Sequence, residues 1–219
     1  MKMMWMLLFM ALPLAGLVYV SWHIWTLLPV AVVWKWLIVL GLLGSFLLLF
    51  FTFKGLPNRL PLPLAKWVYE VGTSSIFVLL YLTILFLLLD VGRLVHLVPR
   101  SWLHANGVTA VAIVGFMLTV FICGNIHYNN KVRVPLRLTT DKPLPKDYTI
   151  VMLSDLHLGY HNPRKELARW VDMVNSEHPD LILIAGDIID NSLRPLIEEN
   201  MAEEFHRLQA PVYACLGNH

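Results

Sequence analysis

Acidic side chains are nearly missing from the first 130 residues, where Glu70 and Asp90 stand against thirteen acids in the remainder of the 219-residue chain. Cysteine is as scarce. Cys123 and Cys215 each lie in an apolar run, which suggests no disulfide framework and two small buried hydrophobes rather than reactive thiols. Charge of either sign is low, at 15% of residues against 57% apolar. The scarcity is uneven: residues 1–130 carry seven basic groups for a balance of +5, and residues 131–219 carry ten for a balance of −3. A mildly acidic soluble part lacks the basic stripe that a nucleic-acid interface needs, so no nucleic-acid partner is expected.

What the first part does have is length of apolar sequence. Four stretches, near 3–22, 36–53, 73–89 and 108–124, approach or reach the ~17–25 residues that cross a hydrocarbon core. A lysine precedes the first, but no small-residue cleavage site follows it, so it reads as a retained helix with Pro13 as a tolerated kink. Tryptophans gather at the ends of the runs (Trp22, Trp25, Trp34, Trp36, Trp67, Trp102), where amphipathic rings prefer to sit. The connection "KGLPNRLPLPLAKW" has three prolines and reads as a loop.

The runs themselves contain almost no ionisable groups, which removes the usual mark of a transporter or proton path and leaves an anchor. His23, His96, His104 and His127 fall near run ends and are expected to be boundary or loop histidines. Basic residues give the orientation. Lys2, Lys54, Arg59, Lys66, Lys131, Arg133 and Arg137 fall on one side, against Lys35, Arg93 and Arg100. Seven against three puts both termini, and the C-terminal part with them, in the cytoplasm.

Past the basic, proline-containing connector the pattern changes. "YTIVMLS", "LILIA" and "VYACL" are short apolar runs of strand length. Between the first two, Leu167, Trp170, Val171 and Val174 make one face of a helix that Pro163 opens and Pro179 closes. Between the last two, a helix is expected over 195–209, with Met201, Phe205 and Leu208 inward and Glu198, Glu199, Glu203 and Glu204 solvated. Strand and helix in alternation predict an α/β sheet, whose ligands collect beyond the carboxyl ends of the strands.

Those ends read "SDLHLG", "GDIID" and "GNH". Each offers a potential metal ligand. Asp155 and His157 are two apart, so in extended backbone they point the same way. Mixed oxygen and nitrogen donors suit Mn, Fe or Zn better than Mg or Ca. Gly186 permits a close turn before Asp187, Asn218 adds a neutral oxygen, and His219 is a ligand or a proton donor. Singly, each could be a cap or a turn residue. Jointly, the bland reading needs three coincidences at three successive strand ends.

The ordered triple D-x-H, G-D-x-x-D, G-N-H resembles the calcineurin-like metallophosphoesterase family over roughly residues 148–219, and membrane-anchored bacterial members share this layout. The resemblance implies a four-layer α/β/β/α sandwich, here its N-terminal portion only, holding two divalent metal ions. It implies Asp155 and His157 on the first ion, Asp187 shared, Asn218 on the second, and His219 as the catalytic group beside the scissile phosphate. Asp190 is left outside the ligand set, and His161, His178 and His206 match no family position.

The organisation expected is therefore a four-helix transmembrane anchor at 1–130, a linker at 131–147 and a phosphoesterase portion at 148–219. The family continues past G-N-H with further histidine motifs, so the chain reads as part of a longer enzyme, inactive by itself. The implied activity is metal-dependent hydrolysis of a phosphomonoester, phosphodiester or pyrophosphate at a bacterial cytoplasmic membrane. A lipid-linked substrate, such as a nucleotide-activated lipid A precursor, is one candidate. The alternative is a non-catalytic membrane scaffold with a vestigial phosphoesterase half, against which the complete set of five motif residues counts.

Overall fold

The computed structural model describes residues 2–218, with side chains from residue 11 onward. Two compact units emerge, one from Met1–Lys54 and Val71–Pro135, the other from Gly55–Glu70 and Leu136–His219.

The first unit is helical: α1 (Lys2–Leu27), α2 (Val32–Phe53), most of α3 (Leu62–Leu94) and α4 (Gly107–Asn129). Leucine, valine and phenylalanine surround these helices on every side, with Val33, Leu88 and Val111 each exposed, as happens when the solvent is lipid. Among the described residues, α2, α3 and α4 are long and apolar enough to cross a membrane, and Ala11–Leu27 of α1 is a shorter apolar helix. Val20, Phe46, Leu79, Phe86 and Met117 pack the interior. Gly72 brings α3 close to α2, since a Cβ there would lie 2.9 Å from Thr52 Oγ1 and 3.2 Å from the Leu48 carbonyl oxygen. Asn106 caps α4 by accepting the Thr109 N–H at 3.0 Å.

The connection after α2 and the surface of α4 differ from what the sequence predicts. The "KGLPNRLPLPLAKW" stretch is only half loop: a 3₁₀ turn over Leu56–Arg59 leads straight into α3. Pro61 and Pro63 flank that helix start, where a missing N–H is harmless. Cys123 is exposed, not buried, because the helix surface it occupies faces the apolar solvent.

The second unit holds a parallel sheet in the order β1 (Ile150–Ser154), β2 (Leu181–Ala185), β3 (Val212–Cys215). Its register pairs Ile150 with Leu181 and Ile182 with Val212. Asp180 fixes the start of that register. It accepts from the Thr149 N–H at 2.9 Å and pairs with Lys146, and these contacts hold its carboxyl below the usual carboxylate range, Lys146 most of all. Helix α5 (Arg164–Ser176) lays Leu167, Trp170, Val171 and Val174 over Ile182 and Ile184. The opposite sheet face, with Ile150, Met152 and Tyr213, is exposed, and Cys215 at the end of β3 is exposed as well.

The helix expected over 195–209 is broken into α6 (Arg194–Glu198) and α7 (Ala202–Phe205). Asn200 takes a left-handed φ of 51° at the break, a conformation asparagine tolerates better than most residues. The interruption frees backbone and side chain of Glu199 for Arg164, which donates its backbone N–H to Glu199 Oε2 and its guanidinium to the Glu199 carbonyl. Glu204 is not solvated either: it is buried, between Arg164 (2.7 Å) and Arg207.

Candidate metal centre

Parallel strands β1 and β2 end side by side, and the chain leaves each through a left-handed residue. Asp155 (φ 55°), His157 (φ 40°) and Asp187 (φ 45°) all occupy that region without being glycine. Such strain persists only where surroundings over-determine it, and it gathers at functional sites. The two loops are tied together: His157 donates its N–H to the Asp187 carbonyl at 2.9 Å, and Leu158 donates to Ile188 at 2.8 Å. Asn162, buried to 4% exposure, closes the first loop by donating its side-chain amide to the carbonyls of Leu156 (3.0 Å) and His157 (3.2 Å).

The result brings Asp155, His157 and Asp187 together, with one donor atom from each lying within 4.8 Å of the others. His157 Nε2 stands 3.9 Å from Asp155 Oδ1 and 4.0 Å from Asp187 Oδ2. Those gaps are too long for hydrogen bonds and no longer than two metal–ligand bonds of ~2.1 Å each, so the donor set fits a cation between them. Asp155 and His157 converge through a left-handed turn, not through two-residue alternation in extended backbone.

A third strand end completes the cradle. Gly217, just after β3, packs so tightly on Asp187 that a Cβ would fall 1.9 Å from Asp187 Oδ1. Gly186, at φ 74°, faces Gly217 in return, and a Cβ on it would sit 2.8 Å from the Gly217 Cα. Glycine at both positions lets the strand ends touch and holds the Asp187 side chain at 10% exposure. Asn218 follows and is exposed. His219, the expected catalytic residue, lies outside the described residues.

Behind His157, its Nδ1 stands 3.9 Å from Asp190 Oδ1. Asp190 Oδ2 accepts from the Tyr69 hydroxyl at 2.5 Å, in the part of α3 that belongs to this unit. Around it Tyr160 donates to Asn58 Oδ1 (2.7 Å), Arg194 donates to the Pro57 carbonyl (2.8 Å), and Lys66 pairs with Glu199. His161 lies 2.5 Å from Glu70. Sequence reasoning missed Asn162, Tyr69 and Asn58. For Asn162 the asparagine–proline pair before α5 was an available turn signal; for the other two no local pattern exists.

Residues 148–219 match the family model for calcineurin-like phosphoesterases. The chain is 35% identical over 107 residues to an uncharacterized metallophosphoesterase of Campylobacter jejuni, covering 47% of this chain and 28% of that one. It is 29% identical over 205 residues to a transmembrane protein with metallophosphoesterase domain of Danio rerio, 85% of this chain and 44% of that one. Over 86 residues it is 34% identical to the UDP-2,3-diacylglucosamine pyrophosphatase of Chlamydia trachomatis, 35% of this chain and 25% of that one. The chain thus spans less than half the length of each of these relatives. No solved structure matches it.

Proposed function

Residues 148–219 belonging to the calcineurin-like phosphoesterases, we propose that this chain is part of a membrane-anchored hydrolase that cleaves a phosphomonoester, phosphodiester or pyrophosphate with two divalent ions. The observation that carries the reading is the meeting of Asp155, His157 and Asp187 at the ends of β1 and β2.

In this reading Asp155 and His157 hold the first ion, Asp187 is shared, and Asn218 serves the second. Bound there, Mn, Fe or Zn would neutralise phosphoryl charge and supply an activated water. The chain's own residues do the rest. Asp187 is held nearly out of water by Gly217, so its carboxylate is oriented before any ligand arrives. Asn162 locks the loop that carries His157. Asp190 Oδ1 lies on the Nδ1 side of the ring at 3.9 Å, beyond hydrogen-bond distance, and Nε2 is the atom turned toward Asp155 and Asp187. His219 delivers the proton to the leaving oxygen.

The anchor is proposed as four spans, α1 to α4, with both termini in the cytoplasm. Apolar helices beside a phosphoesterase segment favour a lipid-linked substrate, and similarity to a pyrophosphatase of a diacylated nucleotide sugar supports that class. The test is release of p-nitrophenol from bis-p-nitrophenyl phosphate by the protein expressed from its complete reading frame. Manganese should stimulate turnover and chelator should abolish it. Chelator-insensitive turnover, or none with any of the three metals, overturns the reading.

A further inference from the structure

A second polar cluster lies within the helical unit, where α1 and α3 end. His23 on α1 lies near the helix end, as its position suggests, but it faces inward rather than the boundary. It is 1% exposed, with its ring stacked on Phe86 at 4.4 Å between centroids. Its Nε2 lies 3.0 Å from Asp90 Oδ2, which also accepts from the Tyr19 hydroxyl at 2.7 Å. Asp90 lies within α3, which runs five residues past the apolar run read from sequence, and its Oδ1 faces Arg93 at 3.4 Å. Buried ionisable groups that face the inside of a helical bundle are a default sign of function. His23 Nδ1 has no hydrogen-bond partner among the described residues, and a buried polar atom left so is costly.

The same ring lines a cavity of about 420 Å³, together with Thr26, Arg93, Arg100, Ser101 and His104. Asp90 offsets one guanidinium. Arg100 and His104 have no ion-pair or hydrogen-bond partner among the described residues, so the lining carries an excess of cationic charge and donors. The volume is that of a small-molecule site. The place matters as much. Leu27 ends α1, Leu94 ends α3 and Gly107 begins α4, so the cavity opens at the ends of the apolar helices, the level expected for headgroups around a bundle of this kind. Half-exposed Trp22 provides an apolar wall at the same level.

We infer that this pocket binds a phosphate group carried by an anionic phospholipid, with Arg100 and Arg93 as the charge partners and His23 and His104 as additional polar contacts. Basic pockets between membrane helices recognise headgroups in this way on the cytoplasmic side, and the same charge chemistry extends to the opposite leaflet, on whose side the proposed topology puts Ser101. The inference is independent of the metal centre.

The test is native mass spectrometry of the 219-residue chain from mixed micelles holding equal phosphatidylglycerol and phosphatidylcholine. Wild type should retain phosphatidylglycerol preferentially, and Arg100→Gln should cut that preference about fivefold, as expected for one interfacial basic residue. His104→Gln should weaken it too. Arg59→Gln, an exposed residue outside the pocket, should leave it unchanged and controls for general charge. Preference that survives excess inorganic phosphate supports the lipid as source. Preference lost to inorganic phosphate supports the same phosphate-binding chemistry with a soluble source. Equal retention of both lipids by wild type, or a preference untouched by both pocket variants, overturns the inference.

Discussion

Tyr69 donates its phenolic hydroxyl to Asp190, 121 positions later, at 2.5 Å, and the other oxygen of Asp190 faces the ring of His157. The carboxylate behind the candidate metal histidine is thereby held from α3. At 3.9 Å the contact is one of charge and not a hydrogen bond, so loosening it should cost the low end of the roughly 10–100-fold seen when a ligand's outer partner is lost. Tyr69→Phe should therefore raise the manganese needed for half-maximal phosphoesterase activity about tenfold, with Asp190→Asn worse. Tyr81→Phe, on an exposed helix surface, is the control. Overlaying activation curves for Tyr69→Phe and wild type would show that the hydroxyl secures the helix and not the histidine.

Gly217 offers a sharper test because the clash is unavoidable. A methyl group 1.9 Å from Asp187 Oδ1 must displace either the carboxylate or β3. Gly217→Ala should reduce bound metal by at least about tenfold, the lower end of what a disturbed ligand costs, with far-UV circular dichroism preserved. Gly115→Ala, with nothing within 4 Å, should change neither. Normal metal content in Gly217→Ala would mean either that β3 gives way and the Asp187 carboxylate stays in place, or that Asp187 is not a ligand.

The strands and α5 were legible because short apolar runs and a 3–4 spacing at Leu167, Trp170, Val171 and Val174 report burial directly. Asp155, His157 and Asp187 were legible as residue types at strand ends, but not in their geometry. Left-handed backbone at a histidine has no sequence signal; it is imposed by the His157–Asp187 backbone bond and by Asn162. The helix break at Asn200 did carry one, since asparagine favours that conformation, yet the apolar spacing of Met201, Phe205 and Leu208 outweighed it. Long-range partnerships, Tyr69 with Asp190 and His23 with Asp90, leave no local trace.

Membership of Gly55–Glu70 in the same compact unit as the sheet constrains topology. Asn58 accepts from Tyr160 at 2.7 Å and from Ser192 at 3.0 Å, so this connection and the sheet must share one side of the bilayer. In a chain lacking Cys123 and Cys215, Ser101→Cys should react with an impermeant maleimide from outside intact cells, and Arg59→Cys should react only after lysis. A cytoplasm-dependent reporter fused after Lys146 should be active. Labelling in the reverse order places the metal centre outside.

Acid should expose the role of Glu204. Hydrogen bonds from Arg207 and then Arg164 hold its carboxyl below the ordinary value of 4.5. A carboxyl depressed in the folded state stabilises above its unfolded pKa and loses that contribution as pH falls through the folded pKa. Both arginines are more than two-fifths exposed, so the effect is modest. Glu204→Gln should lower the unfolding midpoint at pH 7 by ~2–4 °C, and the gap to wild type should close as acid protonates the folded carboxyl, at a pH below its ordinary 4.5. A gap independent of pH would make the loss one of packing, not charge.

Asp187 and His219 should fail differently, and the contrast separates ligand from proton donor. Asp187 is proposed to serve both ions from a position with little access to water, so Asp187→Asn removes charge from both and should lose bound metal together with turnover. His219 is proposed to act on the leaving oxygen alone. His219→Ala should therefore keep its metal content and lose rate by roughly 10²–10⁴-fold, the range of a proton-transfer group. Leaving-group dependence refines the comparison. With p-nitrophenol, which departs readily as an anion, the His219→Ala deficit should shrink relative to an alkyl ester, while the Asp187→Asn deficit should be the same for both. Elemental analysis alongside both rate measurements decides it: metal stripped from His219→Ala would make that histidine a ligand.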